Sequence, residues 1–159
     1  MADVKPKHFW GTAQTVINTT TDIAAGNFSG APSATFDNTT DSAVPGAPYA
    51  TAMIEVPDWG AAPAAGTVVE LWGLLLNTDG TDDDTNAPSG TAANGARFFG
   101  VWPAVAQDAA LQRNTINISL DGVEQVDFYI KNGTAQNMNN DGGTACVVKI
   151  RPYTLGAVT

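Results

Sequence analysis

Residues 114–133, "NTINISLDGVEQVDFYIKNG", constrain the fold more than any other stretch of the chain. Ile116, Ile118 and Leu120 alternate with Thr115, Asn117 and Ser119; beyond Asp121-Gly122, Val126, Phe128 and Ile130 alternate with Gln125, Asp127 and Tyr129. Successive side chains of a strand point to opposite faces, so this period of two makes one apolar and one wet face. A helix needs apolar residues three and four apart, and almost no segment has them. Two alternating runs around Asp-Gly predict a hairpin within an antiparallel sheet.

Short runs rich in β-branched and aromatic residues, bounded by Gly, Pro, Asn or Asp, recur along the chain. They predict strands at 12–18, 49–56, 67–76, 96–102, 115–120, 125–131 and 145–153, with further short strands within 27–36. The run "TVVELWGLLL", 67–76, has few polar interruptions and is expected in the middle of a sheet. One helical turn is expected in "AVAQDAALQRN", 104–114, where Val105, Ala109 and Leu111 can share a face. Such a chain is expected to be all-β: an antiparallel β-sandwich, with the jelly roll as one form and a barrel as the alternative.

The 159 residues suit a single core. The segment "MADVKPKHFWG" differs in character from the rest: it holds two of the four lysines, the one histidine and the pair Phe9-Trp10. The expected organisation is an N-terminal arm, 1–11, and one sandwich domain, 12–159. Two long loops follow from the strand pattern, 30–48 and 77–95. Loops beyond about 12–15 residues are uncommon unless functional or disordered, so something is expected to order them.

Charged residues are only 14% of the chain, and seven Lys and Arg against sixteen Asp and Glu leave a net charge of -9. Gripping nucleic acid takes several cations set against phosphates, and no cluster exceeds Lys5 with Lys7, so neither nucleic acid nor an anionic membrane is an expected partner. No apolar run reaches the roughly 18 residues of a membrane span. The N-terminus lacks the apolar core of a secretory signal, and synthesis in a cytoplasm is expected. A single cysteine, Cys146 in "ACVVKI", is expected to be a buried small hydrophobe. Five N-x-[ST] sequons, at Asn18, Asn27, Asn38, Asn117 and Asn132, follow from a composition dense in Asn, Thr and Ser.

Candidate chemistry is sparse. Asp79, Asp82, Asp83 and Asp84 crowd into "NTDGTDDDTNAPSG", and Asp82, Asp84 and Asn86 have the spacing of the first ligands in an EF-hand calcium loop. Ala87 and Ala93 stand where that loop needs its turn glycine and its bidentate glutamate, which favours a solvated acidic loop. One histidine, His8, and one cysteine give no zinc set and no triad. The three glutamates, Glu55, Glu70 and Glu124, include two within apolar strand segments, where an outward side chain is the ordinary placement. No catalytic residue and no cofactor is expected. Of four tryptophans, Trp72 and Trp102 lie in strands and are expected in the core; Trp10 and Trp59 are the candidates for exposed rings that could stack on a sugar.

"NTTDSAVPGAPYA", "TDDDTNAPSGTAANGARFFG" and "NGTAQNMNNDGGTACVVKIRPYTLG" give the whole chain a style, acidic, poor in Lys and dense in Gly, Ala, Thr and Asn. It resembles the accessory structural proteins of tailed-bacteriophage virions, and among them the capsid decoration, or cement, proteins. The resemblance implies a non-enzymatic β-fold sitting as a homo-oligomer on the outside of the head, with the major capsid protein and copies of itself as partners. The arm would make the contact, with Lys5, Lys7, Phe9 and Trp10 as its residues. A tail or head-tail connector component, a carbohydrate-binding module and, behind these, a hydrolase remain open.

Overall fold

A computed structural model describes residues 6–77, 87–108, 110–138 and 143–157, and among these nine strands form two antiparallel sheets packed against each other. The strands are β1 (Pro6–Trp10), β2 (Gln14–Thr19), β3 (Phe36–Asp37), β4 (Tyr49–Val56), β5 (Val68–Leu75), β6 (Arg97–Pro103), β7 (Gln112–Ser119), β8 (Gln125–Asn132) and β9 (Cys146–Ala157). The first sheet runs β1-β9-β4-β7, with β2 also on β9; the second runs β3-β8-β5-β6. From β2 onward the pairing is nested: β2 with β9, β3 with β8, β4 with β7 and β5 with β6. The fold is the expected β-sandwich.

Alternation assigns the faces. In the first sheet Ala50, Ala52, Ile54, Ile118, Val148 and Ile150 point inward; in the second Val69, Leu71, Val126, Phe128 and Ile130 do. Phe128 is fully buried and meets Phe36 and Phe99 edge-on, at centroid distances of 5.9 and 5.0 Å. Trp102, on β6, reaches across the sandwich and donates its Nε1–H to the Ala52 carbonyl of β4 at 3.2 Å. As expected, β5 is central, between β8 and β6, and Cys146 is buried.

The alternation in 114–133 is as expected, but the pairing is not. β7 lies in the first sheet and β8 in the second, so residues 120–124 cross between sheets and form no hairpin. The turn itself is present: Val123 N–H donates to the Leu120 carbonyl, and Gly122 takes a left-handed φ of 71°. Two strands that face one core from opposite sheets satisfy the same apolar pattern as two strands side by side. The expected helical turn at 104–114 is also absent from the described residues there. Gln112 takes its place: its side chain accepts from Val105 N–H and donates to the carbonyls of Val105 and Gln107, satisfying backbone that a helix would otherwise bond. Val105 and Leu111 are left exposed.

Side-chain and backbone hydrogen bonds tie down the described parts of the long loops. Within 30–48, Asn38 is buried and donates to the carbonyls of Ala47 (3.0 Å) and Val123 (2.9 Å). The described end of the acidic loop is pinned by Phe28 N–H to the Gly90 carbonyl and by Asn94 Nδ2 to the Ala87 carbonyl. Beneath it a second apolar cluster of Phe28, Leu74, Ala96 and Tyr129 covers the outer side of β5 and β8.

Candidate partner-binding face

β9 is twelve residues long, and β4 covers only part of it. Its first half lies between β2 and β4; its last five residues pair with β1, four of them beyond the end of β4, and Tyr153 faces both Trp10 and Tyr49. Residues 6–10 of the N-terminal segment are thus an edge strand, β1, which β2 continues along the same side of β9. Between them Gly11 N–H donates to the Pro152 carbonyl at 2.9 Å and keeps the ladder going.

The two-residue period then decides which side chains meet. His8, Trp10, Arg151, Tyr153, Leu155 and Tyr49 all fall on the outer face of the first sheet, whereas Lys7 and Phe9 fall on the opposite face of β1. Phe9 lies over Gly156, with the Lys7 ammonium 5.4 Å from its ring, so Phe9 and Trp10 do not form one aromatic anchor. Lys5 lies outside the described residues. On the outer face Trp10, Tyr153 and Tyr49 form a row across three strands, with centroids 4.8 and 5.6 Å apart, and His8 stacks on Trp10 at 5.6 Å. Tyr153 is buried beneath its neighbours, but Trp10 and Tyr49 each keep 41% of their surface exposed.

Next to this row is a recess of about 260 Å³, bounded by Trp10 and Ala13 on one side, Thr51 and Met53 of β4 below, Thr115 of β7, and Lys149 and Arg151 of β9. Arg151 is held in place: its Nε–H donates to the Gly11 carbonyl at 3.0 Å and its guanidinium sits 5.1 Å from the Trp10 ring centroid. Farther along the face Arg113 pairs with Glu55 at 2.9 Å, the one ion pair among the described residues. Glu55 points outward, as expected, and so does Glu70, which accepts from Trp72 Nε1–H at 2.7 Å.

Asp41 supports the junction that carries Trp10. Its carboxylate accepts from the backbone N–H groups of Thr12 and Ala43, and these, outweighing partial burial, hold its carboxyl below the usual range. Replacing Asp41 with Asn sets an amide NH₂ against one of those N–H donors, with an expected loss of about 2 kcal/mol at pH 7. A carboxyl whose folded pKa is depressed stabilises fully above its unfolded value, 3.8, and less as pH falls through the folded one. The stability gap between wild type and D41N, by urea unfolding, is therefore expected to narrow from pH 7 to pH 3; an unchanged gap contradicts a charge-based tie.

The other sequence-derived candidates are placed as follows. Asp82, Asp84 and Asn86 lie outside the described residues, as do Asp79 and Asp83. Among the described residues no group of three or more His, Cys, Asp or Glu could hold a metal ion. His8 meets the rings of Trp10 and Tyr153. Burial pushes the Cys146 thiol up to about 12, which keeps it protonated and unreactive. Trp59, expected as an exposed ring, is instead in the core at 3% exposure, and Trp72, expected in the core, is half-buried on the outer face of the second sheet beside Phe28 and Phe98. Lys149, Tyr153 and Tyr49 went unremarked in the sequence, although Lys149-x-Arg151-x-Tyr153-x-Leu155 is itself a period-two signal for one face. No protein-family model, curated protein or solved structure matches the chain.

Proposed function

We propose that this chain is a non-enzymatic virion protein that decorates and braces a tailed-phage capsid, with the major capsid protein and copies of itself as partners. The observation that carries the reading is the aromatic row on the outer face of the first sheet, where Trp10 and Tyr49 stay exposed on either side of the buried Tyr153. Rigid aromatic rings at a strand surface supply large contact area at little entropic cost and are enriched where proteins dock. A specific contact needs about 800 Å² from each partner, and symmetric copies multiply it by avidity. The nested pairing of β2 to β9 supports the finer reading of the sandwich as a jelly roll. Residence in the virion, independence of any cofactor and an oligomeric state belong to the same proposal.

The test is sedimentation of purified chain with capsids that lack it. Saturable binding to heads, and a rise in the temperature at which those heads release DNA, is the expected result. Binding to isolated tails with none to heads overturns the head assignment in favour of the tail or connector reading.

A second reading keeps one specific observation. Trp10 borders a recess that also holds the hydroxyls of Thr51 and Thr115, which suits a saccharide, and of the two candidate rings, Trp10 and Trp59, Trp10 is the exposed one. A glycan screen in which Trp10→Ala abolishes a saturable hit favours that module over a capsid protein.

A further inference from the structure

We propose that the recess beside Trp10 takes carboxylate side chains from an acidic segment of the docking partner, with Lys149 and Arg151 as the pairing cations and Trp10 as the apolar wall. The inference rests on reading the chain as a docking module and adds which face docks and what chemistry it meets.

Charge placement is the first support. The chain carries -9, yet of its seven cations six lie in described residues, and three of those, Arg113, Lys149 and Arg151, sit on the outer face of the first sheet. Glu55 is the one acid among the described strand residues of that face, and Arg113 already engages it. No carboxylate of the described residues is within ion-pair distance of Lys149 or Arg151, and none lines the recess. Two residues apart on one strand face, Lys149 and Arg151 have Cα atoms about 7 Å apart, so both side chains can reach one carboxylate-bearing segment.

Preorganisation is the second. The bond from Arg151 Nε–H to the Gly11 carbonyl and the contact with Trp10 fix the guanidinium before any partner arrives. Its terminal nitrogens are then free to grip a carboxylate in two-point fashion, and little side-chain freedom is left to lose. Met53 and the Trp10 ring give the methylene groups of an Asp or Glu side chain an apolar seat. A nucleic acid backbone fits less well, because two cations neutralise few phosphates while the rest of an acidic chain repels them.

The probe is poly-L-glutamate at 20 mM NaCl, read by tryptophan emission of the full chain, since Trp59 and Trp102 are buried, Trp72 lies on the second sheet and Trp10 borders the recess. The expected result is a saturable change in wild type, lost at 300 mM NaCl, absent in Trp10→Phe, and weakened at least 10-fold in both Lys149→Glu/Arg151→Glu and Lys149→Gln/Arg151→Gln. Arg97→Glu/Lys131→Glu makes the same change in net charge on the second sheet and is expected to bind as wild type does. Binding by both recess variants equal to that of wild type overturns the proposal, as does tighter binding of wild type to heparin or single-stranded DNA. Capsid sedimentation separates this from the proposed function. If recess variants lose poly-L-glutamate yet bind capsids normally, the recess is not the docking site and the decoration reading stands. If wild type binds poly-L-glutamate through the recess yet ignores capsids, the decoration reading falls and the acidic-partner inference stands.

Discussion

Replacing Trp102 with Ala is expected to destabilise the protein by about 3–5 kcal/mol. The indole is 1% exposed, packs between the two sheets and ties β6 to β4 through the Ala52 carbonyl. Truncation empties a volume that two sheets with fully paired inner strands cannot close, so the lost transfer energy and the cavity both count. A domain of this size has about 5–15 kcal/mol in total, and each kcal/mol moves its melting temperature by about 2–4 °C. Calorimetry should then show a fall of roughly 6–20 °C. Trp102→Phe separates the contributions: it keeps much of the volume, and the loss of the bond to Ala52 is expected to cost only about 1 kcal/mol beyond the smaller packing loss. Equal losses in the two variants would place the energy in the hydrogen bond rather than in packing.

Asn132→Ala is expected to cost about 3 kcal/mol by a different route. Asn132, at the end of β8, is fully buried, and its amide is engaged on both sides: Nδ2 donates to the carbonyls of Ile23 (2.9 Å) and Gln136 (2.7 Å), and Oδ1 accepts from the backbone N–H (3.0 Å) and hydroxyl (2.8 Å) of Thr134. Removing it strands several buried polar groups at once, where each unmet partner costs more than a hydrogen bond contributes. Asn132→Asp should be no better, since it exchanges a donor for a buried charge facing two carbonyls. Urea unfolding measures both. A loss under 1 kcal/mol in Asn132→Ala would mean that water replaces the amide and that the knot is not closed. The same burial leaves the sequons at Asn38 and Asn132 inaccessible in the folded chain.

Much of the site was written in the same code as the core, yet only half of it was legible. Trp10 was recognised because an aromatic next to lysines near a terminus stands out. Lys149 and Arg151 were not, because each looks like an ordinary polar residue on the wet side of a strand until β1 is laid beside β9. Tyr49 is 104 positions from Tyr153 in the chain, and no local pattern joins them. Trp59 shows the reverse error: among Gly, Ala and Pro in "VPDWGAAPAAG" its surroundings suggested a surface loop, but its bridge to Met138 seals it into the core. Lying in an apolar strand, Trp72 reads as core from the sequence, but its position between the inward Leu71 and Gly73 places it on the other face.

Residue order alone determined that this is an all-β chain, where most strands run, and which side chains share a face, because alternation is a local property of the extended backbone. Partner choice was decided in three dimensions. A period of two says which face a residue occupies and nothing about which strand lies beside it, so β7 and β8 could satisfy one pattern as a hairpin or from opposite sheets. Closing two sheets over one core selected the second arrangement. The same closure laid β9 between β4 and the N-terminal strands, and that pairing on both sides gathers Trp10, Tyr49, Tyr153, Lys149 and Arg151 onto one surface.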